Sequence, residues 1–200
     1  MCAEGLPFCS DDEALQSGDF YSFCVAPLFY EAAVKDSIRR YKFHNMRGYR
    51  RTYGSLLAEC VDAHTAGQFD LITWVPVSRK RLRKRGYDQA ELLARETAPY
   101  LDKPLIPTLQ KMKDVAAQSS IGGREARKVN IAGAYVVLDP AAVSGKRVLL
   151  MDDVLTTGST LSECARMLLL AGATEVLCAT IARAPVWEEK FEAENAASAV

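Results

Sequence analysis

Residues 148–160 read Val-Leu-Leu-Met-Asp-Asp-Val-Leu-Thr-Thr-Gly-Ser-Thr. An apolar run ends there in two adjacent carboxylates and passes into a hydroxyl-rich turn with one glycine. Asp152 and Asp153 can accept hydrogen bonds from a vicinal diol such as that of ribose. The hydroxyls of Thr156, Thr157, Ser159 and Thr160 can donate to phosphate oxygens. Gly158 lets the backbone approach an anion closely, and a helix starting at the end of the segment offers free N–H groups and a favourable dipole. These residues therefore read as a seat for a ribose 5-phosphate. The plainer alternative is an acidic turn with Thr160 and Glu163 as an ordinary capping box. That explains two residues and leaves the acidic pair, the threonines and the glycine without a reason. No Gly-Lys-Ser or Gly-Lys-Thr occurs here, which excludes a Walker loop.

A second cluster is cationic. Arg79, Lys80, Arg81, Arg83, Lys84 and Arg85 fall within seven residues. Such a run is ordinarily a solvated face or a nucleic-acid patch. This one follows an apolar strand ending at Trp74-Val75-Pro76, so it would lie on the same edge of a sheet as residues 152–160. A third segment, residues 114–130, is polar with Gly122-Gly123 at its centre. A loop this long within a domain is usually functional; the alternatives are a lid, from which Gln118, Arg124 and Arg127 could reach a ligand, and a surface excursion.

The elements that must position these groups follow from periodicity. Residues 30–41 and about 48–64 have apolar positions at helical spacing. Two helices in succession predict a cap rather than part of an alternating sheet. Residues 70–76 predict a strand, 79–85 a basic loop, and 88–100 a helix with Asp88 and Glu91 at its start. Residues 105–112 predict a weaker strand, and 134–138 and 147–151 predict strands, the last buried on both faces. A helix over 160–171 stops at Gly172, and 175–182 is the final strand. Alternating strands and helices predict an α/β fold with a parallel sheet. The expected organisation is an irregular segment over 1–27, a helical cap over 28–66, a core over 67–186 and a frayed tail over 187–200.

Composition bounds the rest. The 200 residues are 49% apolar, with 25 basic against 25 acidic side chains, so no global charge points to nucleic acid or an anionic membrane. No apolar stretch approaches the roughly 18 residues of a membrane span, and the start lacks a secretory layout; the expectation is a cytoplasmic protein without a membrane partner. Of six cysteines, Cys60, Cys164 and Cys178 lie in apolar periodic segments and read as buried hydrophobes. Cys2, Cys9 and Cys24 could supply zinc ligands, but no C-x-x-C pair or evident fourth ligand accompanies them, so zinc is not expected.

The 148–160 segment resembles the signature loop of the type I phosphoribosyltransferases. Tyr41-Lys42-Phe43, Val75-Pro76, the run Lys80 to Arg95 with its Arg-Gly-Tyr-Asp-Gln-Ala-Glu-Leu-Leu-Ala stretch, and Gln118 with Arg124, Arg127 and Asn130 resemble the ComF/GntX-type branch over residues 25–184. The resemblance implies a parallel-sheet, Rossmann-like type I fold. It implies phosphoribosyl pyrophosphate as ligand, carried with Mg2+, with no dedicated protein metal site. Asp152 and Asp153 would hold the ribose and serve the reaction, and Thr156, Thr157, Gly158, Ser159 and Thr160 the 5'-phosphate. Ser78, Arg79 and Lys80 would face the pyrophosphate, and Gln118, Arg124 and Arg127 would sit on a lid. Branch members often begin with a zinc ribbon of two C-x-x-C pairs, from which this chain departs. The branch is associated with natural competence, so the alternative is a non-enzymatic accessory or sensor whose basic run meets single-stranded DNA or a helicase. The sequence leaves the acceptor and the oligomeric state open, a dimer included.

Overall fold

The computed structural model describes residues 15–43, 48–112 and 133–184. In chain order these form β1 (Leu15–Gln16), β2 (Cys24–Val25), β3 (Leu28–Phe29), α1 (Ala32–Phe43), α2 (Tyr49–Thr65) and β4 (Leu71–Trp74). There follow α3 (Arg79–Arg85), α4 (Gln89–Leu101), β5 (Leu109–Lys111), β6 (Tyr135–Val137), α5 (Pro140–Val143), β7 (Arg147–Leu155), α6 (Ser159–Leu170) and β8 (Glu175–Arg183).

Strands β7 and β8 form the centre because their side chains are apolar on both faces. Val148 to Met151 are wholly buried, as are Cys178 and Ala179 opposite them. The main sheet runs β1-β2-β8-β7-β4, parallel except for β1, and β3 also pairs with β8 in parallel. Beyond β4, Leu105 makes a lone parallel bridge to Ile72. Pro104 and Pro107 flank that bridge and lack a backbone donor, so the strand expected over 105–112 does not run through. Its end instead makes β5, which pairs with β6 in a separate antiparallel ladder.

Helices cover both faces, giving two cores. Val34, Ile38 and Tyr41 of α1, Leu57 and Val61 of α2 and Leu93 of α4 pack on Ile72, Leu149, Met151 and Leu177. Leu161, Cys164 and Leu168 of α6 pack on the other face with Leu71, Val148 and Leu150. The two helices expected as a cap thus do cover the sheet, but by joining its core, with α2 against α4.

Three further expectations are corrected. Residues 15–29 contribute the short strands β1, β2 and β3 to the sheet: Cys24, Val25 and Ala26 are wholly buried, in a run too short to show a period. Residues 79–85 are helical, because Ser78 caps the start, accepting from the Arg81 N–H at 3.3 Å, and Gly86 closes the end with φ +78°. Strand β7 continues to Leu155, so Asp152 and Asp153 are strand residues rather than its terminus. Cys164 and Cys178 are buried thiols as expected, while Cys60 is half-buried.

The α2–α4 crossing depends on Gly54, which is buried and whose added Cβ would stand 2.7 Å from the Glu96 Cβ. Alanine normally improves a helix interior by about 0.5–1 kcal/mol. Here Gly54→Ala is expected to destabilise by about 1–3 kcal/mol through overpacking, read as a lower midpoint in urea unfolding.

Candidate functional site

Two adjoining cavities open at the carboxyl edge of the sheet. The smaller, about 40 Å³, is lined by Asp152 and residues 154–161. Strand β7 delivers the carboxylates, the bend at 156–158 turns the chain, and α6 begins at Ser159. Gly158 adopts φ +71° and no side chain caps α6, so its first-turn N–H groups stay available to an anion. Thr157 and Ser159 share a hydroxyl hydrogen bond of 3.0 Å. The capping box with Glu163 does not form: Glu163 accepts from the Gly133 N–H at 2.7 Å and pairs with Arg166 at 2.8 Å. Tyr21, buried beside β2, backs the turn so closely that a Cβ on Gly158 would lie 2.8 Å from its hydroxyl.

The larger cavity, about 170 Å³, shares Asp152 and Thr160 with the smaller and adds Asp153. Its other wall is cationic: Lys42, Arg81, Arg85 and Lys111. Arg81 and Arg85 lie one helical turn apart on α3, a like-charge spacing that is unfavourable on its own. Burial, and then the Arg81 charge, hold the Arg85 guanidinium below its ordinary pKa. Arg85 also donates to the Gln89 amide oxygen at 2.9 Å. Ser78, Arg79 and Lys80 do not line this cavity. Ser78 is buried as the α3 cap, and Arg79 and Lys80 are exposed with Arg83 and Lys84. The reason is helical periodicity: once 79–85 is a helix, only positions 81 and 85 share the inward face.

Asp152 is half-buried, and its Oδ1 accepts from the Asp153 N–H at 2.8 Å. Burial, followed by the neighbouring Asp153 carboxylate, pushes the Asp152 carboxyl well above the usual range. Asp153 pairs with Lys42 at 2.8 Å (Nζ to Oδ1). The segment 85–91 explains how a lysine at the end of α1 reaches that carboxylate. The Tyr87 hydroxyl donates to the Tyr41 carbonyl, and the Tyr41 hydroxyl donates to the Gln89 carbonyl at 2.8 Å. The Gln89 amide donates to the Lys42 carbonyl at 3.4 Å. Asp88 caps α4 from the Ala90 and Glu91 N–H groups at 3.0 and 3.3 Å, and also accepts from Val77 at 2.8 Å. Lys111 donates to the Tyr135 hydroxyl at 2.9 Å across β5 and β6.

Lys111 and Tyr135 carry no local signal in the sequence; a ladder between distant segments brings them to the site. Gln118, Arg124 and Arg127 lie outside the described residues, as do Cys2 and Cys9. Cys24 is buried in β2, where burial pushes its thiol up to about 12, which disfavours the thiolate a metal requires. Among the described residues no cluster of three His, Cys, Asp or Glu could hold a metal ion, and no helix is long and apolar enough to cross a membrane.

The phosphoribosyl transferase domain model matches residues 88–194, more than half of the chain. The chain belongs to the phosphoribosyl transferase family. Within it the chain is of the competence protein F type. It is 35% identical to competence protein F of Haemophilus influenzae over 74% of this chain and 66% of that one. It is 29% identical to competence protein ComFC of Streptococcus pneumoniae over 77% and 65%. It is also 33% identical to the DNA utilization protein YhgH of Escherichia coli K12 over 56% and 50%. The matches thus span half to two thirds of these relatives. Among solved structures, the chain is similar to a glutamine phosphoribosylpyrophosphate amidotransferase from B. subtilis (TM-score 0.49, 23% identity, 71% of this chain and 30% of that one). The described sheet, mostly parallel with helices on both faces, is that of this family's type I fold.

In this family member, Asp88 joins the turn after β4 to α4, and burial pushes its carboxyl up to about 6 against its three N–H donors. A raised value means the native state holds the proton where the unfolded chain has lost it. Its contribution to stability is therefore complete below about pH 4 and lost as pH rises towards about 6. Comparing urea midpoints of wild type and Asp88→Asn across pH 4–6.5, the wild-type advantage should shrink by on the order of 2 kcal/mol with rising pH.

Proposed function

We propose that this phosphoribosyl transferase-fold protein binds phosphoribosyl pyrophosphate with its Mg2+ and transfers the phosphoribosyl group to or from an acceptor nucleophile. One observation carries the reading: a hydroxyl-lined cavity at an uncapped helix start adjoins a cation-walled cavity, with Asp152 and Thr160 common to both. The 5'-phosphate would take the turn at Thr156, Thr157, Gly158, Ser159 and Thr160. The ribose diol would take the Asp152–Asp153 pair. The pyrophosphate would lie among Arg81, Arg85 and Lys111, beside the turn into Ser78, Arg79 and Lys80, with Mg2+ entering as part of the substrate.

In the forward step the C1'–O bond breaks and pyrophosphate leaves with the electron pair, while the acceptor lone pair forms the new bond to C1' and releases its proton. The leaving group gains negative charge as the bond lengthens, and preset cations lower that barrier most. On this reading Asp153, as a ribose-binding carboxylate, would take a proton or stabilise positive charge on the ring. Calorimetric titration with phosphoribosyl pyrophosphate and Mg2+ tests this reading: wild type binds, and Asp153→Asn binds at least about tenfold more weakly through lost charge-assisted hydrogen bonds. No binding by wild type overturns it.

A second reading is favoured by the outward cations of α3 and by the relatives named for competence and DNA utilization. In it the fold keeps its ligand and acts as an accessory in DNA uptake, with Arg79, Lys80, Arg83 and Lys84 meeting a phosphate backbone. Binding of a labelled single strand, followed by anisotropy, should weaken steeply with salt and be lost in an Arg83→Glu/Lys84→Glu variant. Ligand binding without pyrophosphate release across a panel of bases and amines supports this reading over the first.

A further inference from the structure

Lys42 occupies an unusual place. It lies in the last turn of α1, remote in sequence from every other site residue, yet its ammonium meets Asp153 where both side chains are mostly enclosed, 19% and 16% exposed. Its backbone is pinned from outside, because the carbonyls of Tyr41 and Lys42 accept from Tyr87 and Gln89 and the Tyr41 hydroxyl bonds back to the Gln89 carbonyl. Its head group therefore starts from a fixed point on a flexible four-carbon stem. Lys42 also lines the larger cavity, so its head group faces the same volume as Arg81, Arg85 and Lys111. An ammonium is a compact point charge with three donors that can turn between partners, unlike the rigid guanidinium fork.

Resting on the phosphoribosyl pyrophosphate reading, we propose that Lys42 is a partner-exchanging specificity residue: it pairs with Asp153 and moves to the pyrophosphate when the ribose diol takes that carboxylate. The energetic reason is the enclosure. A cation separated from its carboxylate in a mostly enclosed site needs another anion, or it carries the full desolvation penalty. Burial disfavours the Lys42 charge, but the Asp153 carboxylate and its hydrogen bond outweigh that and hold the ammonium above its ordinary pKa. Phosphoribosyl pyrophosphate brings both a diol to engage Asp153 and a polyanion to receive Lys42. Ribose 5-phosphate brings the diol alone and strands the cation. Lys42 thereby links recognition of the diol to the presence of pyrophosphate and makes the site discriminate between the two.

A merely structural role, tying the end of α1 to β7, predicts something different, since loosening that tie would harm both ligands alike. Calorimetric titration of Lys42→Met and Lys42→Arg with each ligand in Mg2+ separates the two. Lys42→Met should bind phosphoribosyl pyrophosphate about tenfold to a hundredfold more weakly than wild type and ribose 5-phosphate no more weakly. Lys42→Arg should keep most of the preference. Thermal unfolding checks that each variant is folded, and Lys42→Gln replaces Lys42→Met if that one is not. The inference is overturned if Lys42→Met binds the pyrophosphate ligand as tightly as wild type, or if both ligands weaken in parallel. Failure of wild type to bind either ligand removes the underlying reading, and this inference with it.

Discussion

The arrangement depends on one constraint: the apolar strand at the centre of the sheet carries two consecutive carboxylates at its open end. Burying Val148 to Met151 fixes where Asp152 and Asp153 must lie, and neither can retreat into solvent without taking the strand with it. Burial penalises the charged form of Asp152, and the neighbouring Asp153 carboxylate adds to the effect. Asp152 responds by holding its proton more tightly, and Asp153 by pairing with Lys42.

Much of the surrounding structure serves that pair. Helix α1 is held over the sheet edge by Tyr87 and Gln89, so that its last turn delivers Lys42. The same short segment caps α4 through Asp88 and closes α3 through Gly86. The densest motif of the branch resemblance, Arg85 to Ala94, therefore has two tasks: Arg85, Asp88, Gln89 and Ala90 line the larger cavity, and the segment also fastens the cationic helix, the end of α1 and the sheet to one another.

Four cations line the larger cavity together with the carboxylates of Asp88, Asp152 and Asp153. Arg81 and Arg85 stand one turn apart, and Lys42 and Lys111 face the same volume from other elements. Like charges gathered at a partly enclosed site lower stability, so the arrangement suits a polyanion that relieves the repulsion. The neighbouring turn presents N–H and hydroxyl donors rather than side-chain cations, which fits it to a singly placed phosphate near the carboxylates.

What was legible in the sequence was local. The buried strand, the acidic pair, the hydroxyl-rich turn and the helix after it are contiguous, and each signals itself through residue type and spacing. The family resemblance and the α/β alternation rest on the same contiguous patterns. The cationic wall was less legible because its members come from three separate elements, α1, α3 and β5. Reading 79–85 as a loop put Arg79 and Lys80 at the pyrophosphate; as a helix, geometry brings Arg81 and Arg85 to the cavity wall and leaves Arg79, Lys80, Arg83 and Lys84 exposed. Lys42 lies in the short Tyr41-Lys42-Phe43 match and Lys111 in an ordinary context, and only the packing of α1 and the β5–β6 ladder brings them to the carboxylates. Spacing along the chain determined which groups could bind a ribose 5-phosphate. Tertiary packing decided which charges meet them, because Coulomb forces act across space between elements that no local pattern relates.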